Sequence, residues 1–161
     1  MEASIELYKL NFDAAIFENG SGVGAVIRNA AGEVMATLSA RGEVVADSEE
    51  AEVRDCRKAL EFAIDAGFSE LIVEGDNSVV MSTISSNKPN WSCLRVIYDD
   101  IGCLAASLSY VSFTCIRRNA NSVAHSLARY ANGLVEEVVW LEDSPPPARD
   151  ALYFDLSLLN E

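Results

Sequence analysis

The sequence predicts an α/β domain built on a five-stranded mixed sheet, three antiparallel strands followed by two parallel ones, with helices on both faces. Three features carry this. Residues 6–40 read as three β-type runs separated by Gly-containing turns. A capped amphipathic helix follows over 48–66. The short apolar stretch ELIVEGD (70–76) then has helical segments on either side, the setting of a buried parallel strand.

From Glu6 to Ile16 the chain alternates, with Leu10, Phe12 and Ala14 on one face and Asn11 and Asp13 on the other, which is the period of a strand. ENGSG (18–22) is turn chemistry. VGAVIRN and EVMATLSA, separated by Ala30-Ala31-Gly32, complete an antiparallel meander. Asp47 offers an N-cap with Glu50 three residues on, and Gly67 supplies the stop of the 48–66 helix. ELIVEGD is expected beside the first strand. A short helix over about 77–85, a breaker at Asn87-Lys88-Pro89-Asn90 and a helix over 92–107 come next. The strand YVSFTCI (110–116) and a last helix over about 120–132 complete the order. The expected domain spans residues 5–134. The acidic stretch 135–161, with Pro145-Pro146-Pro147, is expected as a strap along it.

A chain of 161 residues, half of them hydrophobic, is one globular domain with a real core. Its longest apolar runs, such as Leu71-Ile72-Val73, are too short to span a membrane. The start, MEASIE, lacks the apolar segment of a signal peptide. Cys56, Cys93, Cys103 and Cys115 have no CxxC or zinc spacing and lie in apolar stretches, which predicts buried free thiols in a reducing compartment, the nucleus or cytoplasm. The net charge of −13 opposes long-range attraction of a polyanion. That charge is uneven: residues 135–161 carry seven acids against Arg149 alone, whereas Arg54/Arg57/Lys58 and Arg117/Arg118/Arg129 form local basic clusters.

Three acids occupy unusual positions. Asp13 interrupts an apolar strand, where Asp is depleted; an edge strand facing water is the ordinary alternative. Glu52 falls on the apolar stripe of its helix with Cys56, Ala59 and Ala63, whereas Glu49, Asp55, Lys58, Glu61 and Asp65 lie away from it. A carboxylate on that stripe must be paired or bind a cation, unless its first-turn position lets the helix dipole and water satisfy it. Asp76 follows a buried strand and opens a helix. It is either an N-cap or a residue at the strand end where α/β proteins place their chemistry. A central strand, its parallel neighbour and a helix crossing both bring the three carboxylates to one point, a donor set suited to Mg²⁺ or Mn²⁺.

At these residues the chain resembles a known family. KLNFDAA, GVGAVIRNAAGEV, EEAEVRDCRKALEFAIDAGFSELIVEGDNSVV, SFTCIRRNANSVAHSLARYA and VVWLEDSPP, in that order over about residues 8–148, resemble the plant reverse-transcriptase-like ribonuclease H domain of retroelement-derived genes. The resemblance implies a ribonuclease H-like fold and metal-dependent endonucleolytic cleavage of RNA in RNA–DNA hybrids. It implies four acidic residues around two Mg²⁺ (or Mn²⁺) ions, one activating the attacking water and the other stabilising the leaving oxygen. Asp13, Glu52 and Asp76 match three of the four. It also implies a nucleic-acid partner near Asn121 and near the backbone of Asn19-Gly20-Ser21-Gly22, a stretch that reads equally well as a plain hairpin turn. A monomer is expected.

His125 stands where the fourth aspartate of the family falls, within Asn121-Ser122-Val123-Ala124-His125-Ser126-Leu127-Ala128. Helical period puts Val123, Leu127, Ala131 and Leu134 on the apolar stripe, and His125 opposite it with Asn121, Ser122, Arg129 and Asn132. Periodicity therefore gives an exposed histidine, and the resemblance gives a metal ligand. Imidazole suits Mn²⁺ better than the harder Mg²⁺. Three readings stay open: a hybrid ribonuclease of reduced activity, a module that binds nucleic acid or a protein partner without cutting, or a stable fold without nucleic-acid contact. The histidine of the loop before this helix and the long basic extension seen in some members are absent from the sequence.

Overall fold

The computed structural model describes residues 6–86 and 92–141; the breaker at 87–90 and the proline run lie outside them. Strands β1 (Tyr8–Phe17), β2 (Gly20–Arg28) and β3 (Val34–Gly42) form the meander, and α1 (Ser48–Asp65) follows. Then come β4 (Glu70–Gly75), α2 (Ser78–Ser85), α3 (Arg95–Ala106), β5 (Tyr110–Cys115), α4 (Ser122–Tyr130) and β6 (Val138–Leu141). The sheet order is β5-β4-β1-β2-β3-β6. β1 pairs in parallel with β4, and β4 with β5. The other pairings are antiparallel.

The sheet has six strands rather than five. β6 adds to the edge of β3 with Leu38 opposite Val139, and it falls inside the stretch expected as a strap. Only four residues long, it carries too little alternation to stand out beside Glu136 and Glu137. Trp140 turns it inward, against the cluster of Val26, Val123 and Leu127.

The helices divide between the faces as their sequences require. Val53, Cys56, Leu60 and Ala63 of α1, with Ile97 and Ile101 of α3, pack on Leu10, Phe12, Val23, Ala25 and Ile27. Complete burial of each large side chain contributes about 1.5–3 kcal/mol. α4 covers the other face of β2, where Gly22 and Gly24 leave room for it. A Cβ on Gly24 would run into the Ala124 carbonyl and Leu127 Cβ, and one on Gly22 into the Ala128 carbonyl.

Local chemistry sets the boundaries. The Asp47 carboxylate accepts from Glu50 N at 2.9 Å, and Glu50 accepts from Ala46 N at 3.1 Å. Gly67 ends the turn after α1 at φ +94°. α4 is shorter than expected because 3-10 turns, Arg118–Asn121 and Ala131–Gly133, flank it. β2 begins at Gly20, so the hairpin turn is Glu18-Asn19 alone.

Two expectations about burial are corrected. Asp55, placed by periodicity on the outer side of α1, is 2% exposed, because the buried arc of this helix is wider than one stripe and runs from Ala51 and Phe62 round to Leu60. All four cysteines are free, but only Cys56 is buried. Cys93, Cys103 and Cys115 are exposed, since α3 buries only its Ile97, Tyr98 and Ile101 side and β5 is an edge strand.

Candidate active site

Register brings the first two acids together. Asn11 pairs with Glu74 in the parallel β1–β4 ladder, so two residues further on Asp76 comes level with Asp13. Glu52 arrives from near the start of α1, where its Oε1 accepts from Ala14 N at 3.2 Å. Ligand atoms of Asp13, Glu52 and Asp76 all lie within 4.8 Å of one another. Asp13 and Glu52 are buried and Asp76 is half-buried.

Convergence and burial raise the proton affinity of Glu52 and Asp76. Burial pushes the Glu52 carboxyl well above the usual range; a hydrogen bond with Asp13 and the charges of Asp13 and Asp76 add to this, against the Ala14 N–H. Asp76 is also raised, first by burial and then by Asp13, while the Asn121 side chain, Arg118 and His125 pull it back. Asp55, one turn beyond Glu52, is raised strongly by burial and then by the charges of Glu52 and Asp13. Glu52 Oε2 is buried with no hydrogen-bond partner among the described residues. A hard divalent cation satisfies such an oxygen and cancels the mutual repulsion, so these residues fit a Mg²⁺ or Mn²⁺ site.

His125 reaches this corner through Asp13. Its Nδ1 lies 2.9 Å from Asp13 Oδ2, and its side chain is 54% exposed. It is therefore both the exposed histidine of the periodicity and a neighbour of the acids. Its ring nitrogens do not belong to the group of ligand atoms that lie within 4.8 Å of one another.

Asn121 sits 2% exposed beneath the site rather than on the polar surface. Its Nδ2 donates to Phe12 O at 2.8 Å and to Asp76 Oδ2 at 3.2 Å, and its Oδ1 accepts from Asn11 Nδ2 at 3.4 Å. One amide thus ties β1, the end of β4 and the start of α4 together. Of the four turn candidates, only Asn19 is in the turn and exposed. Gly20, Ser21 and Gly22 are buried within β2, where Ser21 Oγ donates to Glu43 O and Gly22 receives α4.

Sequence reasoning passed over Asn11, Asp55 and Arg41. Asn11 carries a usable signal, a second polar residue two places before Asp13 on the same strand face. Arg41 carries none. Its guanidinium donates to Asn132 O at 2.7 Å and to Asn19 O at 3.2 Å, fastening the hairpin turn to the end of α4.

The acids open onto a cleft of about 600 Å³. Asp13, Glu52 and Asp76 line it together with Arg118, His125 and Arg129.

This fold and site belong to a class that comparison with known proteins defines. Residues 11–131 match the model of the reverse transcriptase-like family. The chain belongs to that family and is a ribonuclease H-like domain. Ribonuclease H1 from the archaeon Halobacterium salinarum NRC-1 is similar at 27% identity and a TM-score of 0.68, over 78% of this chain and 97% of that one. The N-terminal ribonuclease H domain of a Mycobacterium tuberculosis protein shares the fold at 22% identity and a TM-score of 0.68, over 79% and 94% of the two chains. LC11-RNase H1, solved in complex with an RNA/DNA hybrid, shares it at 22% identity and a TM-score of 0.66, over 77% and 95%. No curated protein matches the chain.

Proposed function

We propose that this domain hydrolyses RNA in RNA–DNA hybrids with divalent metal ions, weakly in Mg²⁺ and better in Mn²⁺. The convergence of Asp13, Glu52 and Asp76 from three separate elements carries the reading. Membership of the family supports the chemistry, and the hybrid bound by LC11-RNase H1 supports the substrate class. Divalent ions, two in this reading, would supply the charge that activates a water and stabilises the leaving oxygen in an in-line displacement at phosphorus. Asp13 would serve both ions and Glu52 and Asp76 one of them, while His125 would offer the other an imidazole nitrogen in place of a carboxylate. Asn121 holds Asp76 toward Asp13, and Asn19, exposed in the hairpin turn, is the candidate backbone contact. Free cysteines throughout fit work in a reducing compartment, nucleus or cytoplasm.

A second reading, binding without cutting, is favoured by one observation. The His125–Asp13 hydrogen bond engages an oxygen that a metal ion would need. Incubating wild type and Asp76→Asn with labelled hybrid, RNA duplex and DNA duplex tests the first reading. It expects cleavage of the hybrid's RNA strand alone, lost in the variant. Binding of the hybrid with every strand intact would establish the second.

A further inference from the structure

Beside the carboxylates, an ordered row of side chains lines the same cleft. Arg118, Ser122, His125, Arg129 and Asn132 all line the cleft. Each is three or four residues from the next, one turn of helix apart. They form the polar stripe of α4 and its flanking turns, whose opposite side is held against β2 by Val123, Leu127 and the close approach to Gly22 and Gly24. The stripe is thus fixed relative to the acids.

Two of its members are arginines. Arg118 and Arg129 are exposed and form no ion pair or hydrogen bond among the described residues, although the chain carries 25 acids. The other basic cluster of the sequence is consumed internally: Arg54 pairs with Glu50, Arg57 with Asp100 and Lys58 with Glu137. Arg118 and Arg129 lie on either side of His125, roughly 15–20 Å apart along the helix axis by backbone rise. That separation suits two phosphates better than one. The Arg118 charge also reaches the corner, since it pulls the Asp76 carboxyl down.

We propose that Arg118 and Arg129 anchor the phosphate backbone of the nucleic-acid strand in the cleft, each neutralising one phosphate, on opposite sides of the carboxylates. This rests on the nucleic-acid reading of the site and accounts for how a chain of net charge −13 grips a polyanion. The arginines that line the cleft lie on one helical stripe, placed where the acids alone would repel the strand. Guanidinium suits the task because its fork of N–H donors matches phosphate oxygens.

Binding of a short fluorescein-labelled RNA–DNA hybrid, followed by anisotropy over a range of salt with Ca²⁺ as the divalent ion, tests it. Each phosphate contact contributes a slope of about 0.9 in log K against log salt. Arg118→Gln and Arg129→Gln should each lower the slope by about one and the double variant by about two, with the lysine variants restoring it. Arg95→Gln, exposed on α3 and away from the cleft, should leave it unchanged. Thermal melts of the exposed variants should match wild type. A folded double variant that binds with the wild-type slope would overturn the anchors and leave the hybrid reading standing. Wild type that fails to bind the hybrid would overturn both.

Discussion

Asp13 and His125 are joined at 2.9 Å between Oδ2 and Nδ1, and the other Asp13 oxygen accepts from Ala14 N at 2.9 Å. Asp13 thus has both carboxylate oxygens engaged within the chain, one by a backbone N–H and the other by the imidazole. Where the resemblance implies a fourth negative charge, the site has an imidazole held against its central acid.

Returning a carboxylate to that position should therefore strengthen metal binding. His125→Asp is expected to raise Mg²⁺-dependent hybrid cleavage about tenfold or more, equivalent to about 1.4 kcal/mol of barrier. Single-turnover rates of wild type and variant at matched Mg²⁺ check this. No gain would mean that another feature limits the site.

Asn121 holds three elements through one buried amide. Asn121→Ala should cost about 1–3 kcal/mol of stability in urea melts, because Phe12 O and the Asn11 amide lose their partner. Activity should fall further than the lost folded fraction accounts for, since Asp76 is freed. An unchanged melt would remove Asn121 from this role.

Gly24 pairs with Asp13 in the β1–β2 register and lies under α4. Gly24→Ala should destabilise by about 1–3 kcal/mol through forced overpacking and should shift the His125 ring resonances in NMR spectra. A variant with wild-type stability and wild-type His125 signals would show that the contact is soft.

Asp55 gives a prediction in pH. Burial, then the charges of Glu52 and Asp13, raise its carboxyl in the folded state, so the native protein holds this proton more tightly than the unfolded chain does. Stability from that difference is intact below the unfolded pKa of about 4 and is lost as pH rises toward the folded value. Asp55→Ala also gains helix propensity of roughly 0.5 kcal/mol. It should therefore melt higher than wild type at pH 7, with the advantage shrinking steadily toward pH 4. An advantage that grows on acidification would reverse this assignment.

The meander, the two parallel strands and the three acids were legible because each leaves a local mark. Asp13 breaks a strand pattern, Glu52 sits on an apolar stripe and Asp76 follows a buried strand. The burial of Asn121 and Asp55 was not, because it comes from neighbours distant in sequence. Asn121 lies under a 3-10 turn that periodicity merges into the helix, and α1 is covered over more than one stripe. Gly20 and Gly22 of β2 read as a turn because a glycine that receives a helix and one that bends a chain look alike in sequence. β6 was lost for want of length.

The most direct measurement is cleavage of a labelled RNA–DNA hybrid by wild type, side by side in Mg²⁺ and Mn²⁺, with Asp13→Asn as the blank. The expected result is slow cutting in Mg²⁺, faster cutting in Mn²⁺ and none from the variant. A folded wild-type protein that cuts in neither ion would contradict the enzymatic reading and leave a domain that binds without catalysis.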